Sequence, residues 1–171
     1  MAIQPRRPQT EPQYDENLEE EMPEFSALLD VPLKDIERPK PIPVGTYTVI
    51  MTEMPKQGKY STGTPFLRFV LHVVAAGPDV HEQSLLNSLT KPSGETVPLS
   101  SKVIYQNFGL TEDAMPFLKD FLVGTGIKGK SSNEIIGNLL NQEFKVYVIH
   151  DVPRTGGSDR IFPKVQRSMP A

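Results

Sequence analysis

Between Pro43 and Val74 the chain reads PVGTYTVIMTEMPKQGKYSTGTPFLRFVLHVV, two apolar runs of period two separated by a polar stretch. Side chains at that spacing point alternately to the two faces of a strand, so the segment predicts a β-hairpin and excludes a helix there. The first strand, roughly Val44 to Met54, sets Tyr47, Val49 and Met51 against Thr46, Thr48 and Thr52. The second, Phe66 to Val74, sets Leu67, Phe69, Leu71 and Val73 against Phe66, Arg68, Val70 and His72. One face of such a hairpin can be buried while the other stays available. The available face mixes aromatic, cationic and apolar groups, and the connecting loop, Pro55 to Thr64, holds Lys56, Lys59 and Tyr60. Aromatic rings for base stacking and cations for phosphates are the groups that hold single-stranded nucleic acid. An ordinary half-buried hairpin also carries charge on its outer face, so the hairpin alone leaves both readings open.

The C-terminal part repeats the pattern. Phe144, Val146 and Val148 alternate with Lys145, Tyr147 and Ile149, and a long turn, Pro153 to Asp159, leads to a return strand with Arg160, Phe162 and Lys164 on one face. Arg154 and Arg160 flank that turn. Between the hairpins, His81 to Leu89 is read as a strand crossing the sheet, and Val97 to Phe108 as another carrying Lys102 and Tyr105. Two helices follow. The first runs from about Glu112 to Val123, with Thr111 or Asp113 as N-cap, Pro116 in its first turn, and Gly124 or Gly126 ending it. The second starts at Ser131, whose spacing to Glu134 makes a capping box, and buries Ile135, Ile136, Leu139 and Leu140.

Charge divides the chain. Residues 1–39 hold four basic and ten acidic side chains, a net charge of −6, whereas residues 40–171 hold fourteen and eleven, a net charge of +3. Pro5, Pro8, Pro12 and Pro23 punctuate the start of the acidic part, a composition that does not support a packed core. Phe25 to Leu33 is more apolar and suits docking, on the chain's own domain or on a partner, and Arg38 to Pro43 makes a stiff spacer. The organisation read from this is an acidic arm over residues 1–40, a β-domain over 41–167, and a short tail over 168–171. An acidic arm on a basic domain can compete within the molecule for a cationic surface, or simply keep the chain soluble.

Several functions lack their residues. There is no cysteine, so no disulfide, thiolate nucleophile or Cys-ligated zinc is available. His72, His81 and His150 stand at no metal-ligand spacing. Ser101 and Lys102 are adjacent and would point to opposite faces of a strand. The glycines of Gly124 to Lys130 follow a helix and lack the strand–loop–helix setting of a phosphate-binding loop. The reading is therefore a non-enzyme without metal or cofactor. No secretory h-region follows Arg6 and Arg7, and no apolar run reaches the roughly 18 residues of a membrane span, which points to the cytoplasm.

The order Pro43, Gly45, Thr46, Tyr47, then Ser61, Gly63, Thr64, Pro65, Leu67, Arg68, Phe69 resembles a family of small phage-encoded proteins of the replication and recombination region. The resemblance runs from about Pro41 to Val165, with an acidic N-terminal extension and an enlarged segment His81 to Lys102 as departures. It implies an OB-fold single-stranded DNA-binding protein acting in the bacterial host cytoplasm. OB folds bind oligonucleotides on their strand 2–3 face, framed by the loops between strands 1 and 2 and strands 4 and 5. On this reading those loops are Pro55 to Thr64 and Asp151 to Asp159. The expected fold is mainly β, an OB-like small barrel with two helices. The expected function is coating single-stranded DNA without sequence preference in phage replication or recombination. The candidate binding residues are Lys56, Lys59, Tyr60, Phe66, Arg68, Tyr105, Lys145, Tyr147, Arg154, Arg160, Phe162 and Lys164. Replication or recombination proteins could dock on the acidic arm, and a homo-oligomer is compatible with the reading. The competing reading is a phage structural or assembly protein whose β-domain and arm bind other subunits.

Overall fold

Tyr47, Val49, Phe69, Leu71, Phe144 and Val146 are all fully buried, so the alternating runs do turn one face inward. A computed structural model of the chain describes residues 29–35, 40–151 and 161–171. The chain separates into two units, Met1–Arg38 and Pro39–Ala171. Within the first, the described residues include a short 3-10 turn at Leu33–Asp35, while the acidic, proline-punctuated stretch before residue 29 lies outside the described residues. Among its described residues the second unit is mainly β: six antiparallel strands in one open sheet, with three helices.

The strands are β1 (Gly45–Ile50), β2 (Lys56–Lys59), β3 (Pro65–Ala76), β4 (Val103–Gly109), β5 (Glu143–Asp151) and β6 (Phe162–Pro170). β3 is the spine. One edge pairs with β4 from Phe66↔Gly109 to His72↔Val103. The other pairs with β2 over its first half and with β1 over its second. β1 continues the sheet to β5, and β5 to β6.

The expected continuous first strand, Val44 to Met54, is broken. Met51 is fully buried, and its carbonyl accepts a hydrogen bond from Asn141 N–H (2.8 Å), which draws the backbone off the β3 edge. Asn141 meets it in the left-handed region, at φ 61°. Half of the expected loop Pro55–Thr64 is then β2, and the turn itself is only Tyr60 to Thr64. Tyr60 and Thr64 share a backbone bond of 2.9 Å there, and Gly63 sits at φ 86°, where a Cβ would be strained.

The expected strand His81–Leu89 is instead helix α1 (Glu82–Leu89). Its residues include no β-branched side chain, and the His81 ring caps it by accepting from Ser84 N–H at 3.2 Å. The strand expected from Val97 starts only at Val103, after a 3-10 turn at Leu99–Ser101. Helix α2 (Met115–Gly124) begins three residues later than expected, because Thr111 Oγ1 accepts from Ala114 N–H in a preceding turn. Helix α3 (Ser132–Leu139) has the expected cap. Ser131 Oγ accepts from Glu134 N–H, while the Glu134 carboxylate reaches one residue further back, to Lys130 N–H at 2.8 Å. Residues 168–170, expected as a tail, complete β6, and Ser168 is buried.

Phe121 of α2 ties the core together. Its ring lies 5.3 Å from Phe69, 5.0 Å from Phe108 and 5.9 Å from Phe144, so one helical side chain touches β3, β4 and β5. Aromatic pairs at these spacings, edge-to-face with Phe69 and Phe144 and tilted with Phe108, add about 0.5–1.5 kcal/mol each beyond their buried area. Ser168 Oγ donates to the Phe121 carbonyl, and Gly124 passes so close that an added Cβ would stand 2.8 Å from the Ser168 carbonyl oxygen. Tyr47 is a buried aromatic with a polar group. Its hydroxyl donates to Pro43 O at 2.7 Å, and burial pushes its pKa well above the phenolic range.

Candidate nucleic-acid interface

Because Phe69 and Leu71 point inward, Phe66, Arg68, Val70 and His72 are on the outer face of β3, as the alternation requires. Register adds their neighbours: Gly58 opposite Phe66, Lys56 and Asn107 on either side of Arg68, and Tyr105 opposite Val70. Gly58 has no side chain to occupy the space beside Phe66, and a Cβ there would meet the Phe66 ring at 2.5 Å. The ring therefore lies over the β2 backbone, with its centroid 4.6 Å from that of Tyr60.

Arg68 sits between two rings. Its guanidinium carbon is 5.3 Å from the Phe66 centroid and 5.9 Å from the Tyr105 centroid, within cation–π range of both. Nε donates to Asn107 Oδ1 at 3.0 Å, which fixes the plane of the group and uses one of its five N–H donors. Tyr105 is 60% exposed, the most accessible of these rings. Lys56 stands directly across from Arg68, and like charges at opposed positions repel. Glu53, 3.3 Å from Lys56 Nζ, offsets part of that repulsion through an exposed pair.

A second cluster lies on the outer face of β5 and β6. Arg167 stands opposite Tyr147 with its guanidinium carbon 5.3 Å from the ring centroid, and Lys145 is exposed two residues away. Lys164 is held 3.7 Å from Asp151, and Phe162, half exposed, lies opposite Asp151 at the end of the hairpin. Arg154 and Arg160, with the loop Asp151–Asp159 beyond its first residue, lie outside the described residues.

The two clusters approach one another where β4 meets β6. The Gln106 side chain, nearly buried, accepts from Val165 N–H through Oε1 at 3.1 Å. Beside this link a groove of about 530 Å³ opens between the two strands and α2. Asn107, bonded to Arg68, and Arg167, beside Tyr147, both line it. The structure thus brings Tyr60, Phe66, Arg68 and Tyr105 together with Lys56, sets Tyr147 and Lys145 beside Arg167 in a second cluster, and places Lys164 at the groove. Lys59 is exposed at the end of β2 beside Tyr60.

Asn107, Gln166, Arg167 and Phe117 do not stand out in the sequence. Strict alternation from Phe162 and Lys164 sends Arg167 inward. A bulge between Tyr147 and Val148 lets β6 carry one extra residue, so Arg167 turns outward and Ser168 turns in. Ser168 tolerates that position because its hydroxyl donates a hydrogen bond to Phe121 O. The apolar Met169 two residues after Arg167 hides the reversal.

Against known proteins, the chain matches no family model and no curated sequence. No helix among the described residues is long and apolar enough to cross a membrane.

Proposed function

We propose that this protein binds single-stranded DNA along the outer face of its sheet, by base stacking and phosphate contacts that tolerate sequence. The observation that carries the reading is the arrangement around Arg68. Three aromatic side chains and two cations share one outward patch, with opposed cations that an incoming phosphate would relieve. The Arg68–Tyr105 contact leaves most of the Tyr105 ring in water, where its face is open to a base. Stacking platforms flanked by cations are what binding of unpaired strands requires, because every base offers a π-face.

The strand connections support an OB-like barrel. With β1 and β2 counted as one bent strand, β3 to β6 follow as strands 2 to 5, and Gln106 links strands 3 and 5 across the gap. The Arg68 patch then falls on the strand 2–3 face used for oligonucleotides, beside the turn Tyr60–Thr64 that joins strands 1 and 2. The resemblance of Pro43–Phe69 to phage replication-region proteins supports a role in phage replication or recombination.

Fluorescence anisotropy with a labelled dT oligomer across a salt series tests the proposal. Affinity should fall with salt, and replacing Lys56, Arg68 and Arg167 with alanine should flatten the log–log slope by about 0.7 for each phosphate no longer neutralised. No binding at low salt, or a triple variant indistinguishable from the parent, refutes it. Salt-insensitive association with protein subunits instead would favour the assembly role.

A further inference from the structure

The groove between β4, β6 and α2 has a composition that a simple stacking platform does not need. Its floor is Phe121, a core ring. Its wall is Phe117, 68% exposed on α2, so the ring face is open to a planar partner. The rim carries the amides of Asn107 and Gln166, the cation of Arg167, and one carboxylate, Asp120. Gln166 is the extra residue of the β6 bulge, so it exists at this rim only because the strand is irregular there.

We infer that this groove holds one nucleobase, and that the base it favours is guanine. The inference rests on the proposed binding of single-stranded DNA and adds one selective position to an otherwise tolerant path. A flat aromatic ring fits against Phe117. Arg167, which also faces Tyr147, supplies the cation for the adjoining phosphate, so ring and phosphate meet complementary groups. Asp120 decides which base. A carboxylate only accepts hydrogen bonds, and guanine alone presents two adjacent donors, N1–H and the 2-amino group, that match its two oxygens. Adenine and cytosine each offer a single amino group beside an acceptor, which the carboxylate would oppose, and thymine offers one N–H between two carbonyls. The amides of Asn107 and Gln166 can donate to guanine O6. A carboxylate in a groove meant only for phosphates would weaken binding, so its presence favours recognition of a base edge.

The test compares a dT oligomer with the same oligomer carrying one dG, one dA, one dC or one inosine, read by anisotropy at fixed salt. One guanine should tighten binding about fivefold or more, the lower range for a bidentate base contact. Inosine, lacking the 2-amino group, should forfeit most of that gain. Asp120→Asn should abolish the guanine preference while the plain dT oligomer binds at least as well as before, and Phe117→Ala should weaken the guanine oligomer more than dT. Both residues are exposed, so these variants should fold, and unchanged melting temperatures will verify it. Equal affinity for all five oligomers, or a guanine preference that survives Asp120→Asn, overturns the inference while leaving DNA binding intact. No binding of any oligomer overturns both.

Discussion

Tyr105→Ala separates an interface from a packed sheet surface. The ring is 60% exposed, so its truncation removes little buried area. Its clearest interaction within the protein is with the Arg68 guanidinium at 5.9 Å, worth about 0.5–1 kcal/mol at an exposed site. Folding should therefore weaken by about 1 kcal/mol, a fall in melting temperature of roughly 3–5 °C for a domain of this size. If the ring stacks on a base, its loss removes about 1–3 kcal/mol of binding, which is about 5- to 150-fold in Kd. The binding effect should thus exceed the folding effect. Phe69→Ala is the contrast: Phe69 is fully buried, touches Phe108 and Phe121, and should cost about 3–5 kcal/mol of stability. The assay is thermal melting of each variant beside anisotropy against dT, well below the melting temperature. A double variant with Arg68→Ala should lose less than the two single losses combined, because the pair shares one interaction. A Tyr105→Ala protein that melts several degrees lower yet binds dT within twofold of the parent would refute the reasoning, and Tyr105 would then be a packing residue.

Two further outcomes follow from the fold. Gly124→Ala should lower the melting temperature by several degrees, about 1–3 kcal/mol, because the new Cβ would press the Ser168 carbonyl oxygen that stands 2.8 Å away and loosen α2 from β6; an unchanged melt would show that this approach is slack. Asp79 accepts from Thr46 N–H at 3.0 Å and from Thr46 Oγ1 at 2.8 Å, bonds that hold its carboxyl below the usual carboxylate range. Its contribution is present above the unfolded value near 3.9 and is lost as pH falls through the lower folded value, so the stability gap between the parent and Asp79→Asn should be constant near neutral pH and close below about pH 4. A gap independent of pH down to about 2 would rule that linkage out.

What could be read from the sequence divides by the range of the physics. The alternation at Tyr47–Val49 and Phe69–Val73 is local, and it assigns the buried and outer faces correctly, hence Phe66 and Arg68. The Ser131 cap is local too. The break after Ile50 is not legible, because it depends on Asn141, far along the chain, taking the Met51 carbonyl. Helix α1 does have a local signal, since residues 81–89 lack β-branched side chains, but a crossing strand is what an OB barrel demands at that point and the fold expectation overrides it. The bulge at Tyr147 has no local signal. It follows from Ser168 finding an acceptor on a helix distant in sequence, and the placing of Arg167 and Gln166 depends on it.

The meeting of β4 and β6 explains why the candidate site has its shape. Strand edges that pair fully close a sheet and leave no room between them, while edges that stay apart expose backbone donors. Here one side chain takes the intermediate course. Gln106 turns its amide into the gap and satisfies Val165 N–H, so the edges are tied at one point without a ladder. Polar groups this far from water need such partners, and among the described residues no buried side-chain nitrogen or oxygen lacks one. The space beside the tie is the groove, and the residues that flank Gln106 and Val165 in sequence, Asn107 on one strand and Gln166 and Arg167 on the other, become its rim. The Gln106 tie is thus also where β4, whose Asn107 holds Arg68, meets β6, whose Arg167 faces Tyr147. The proposed DNA path would cross from one cluster to the other at that meeting point.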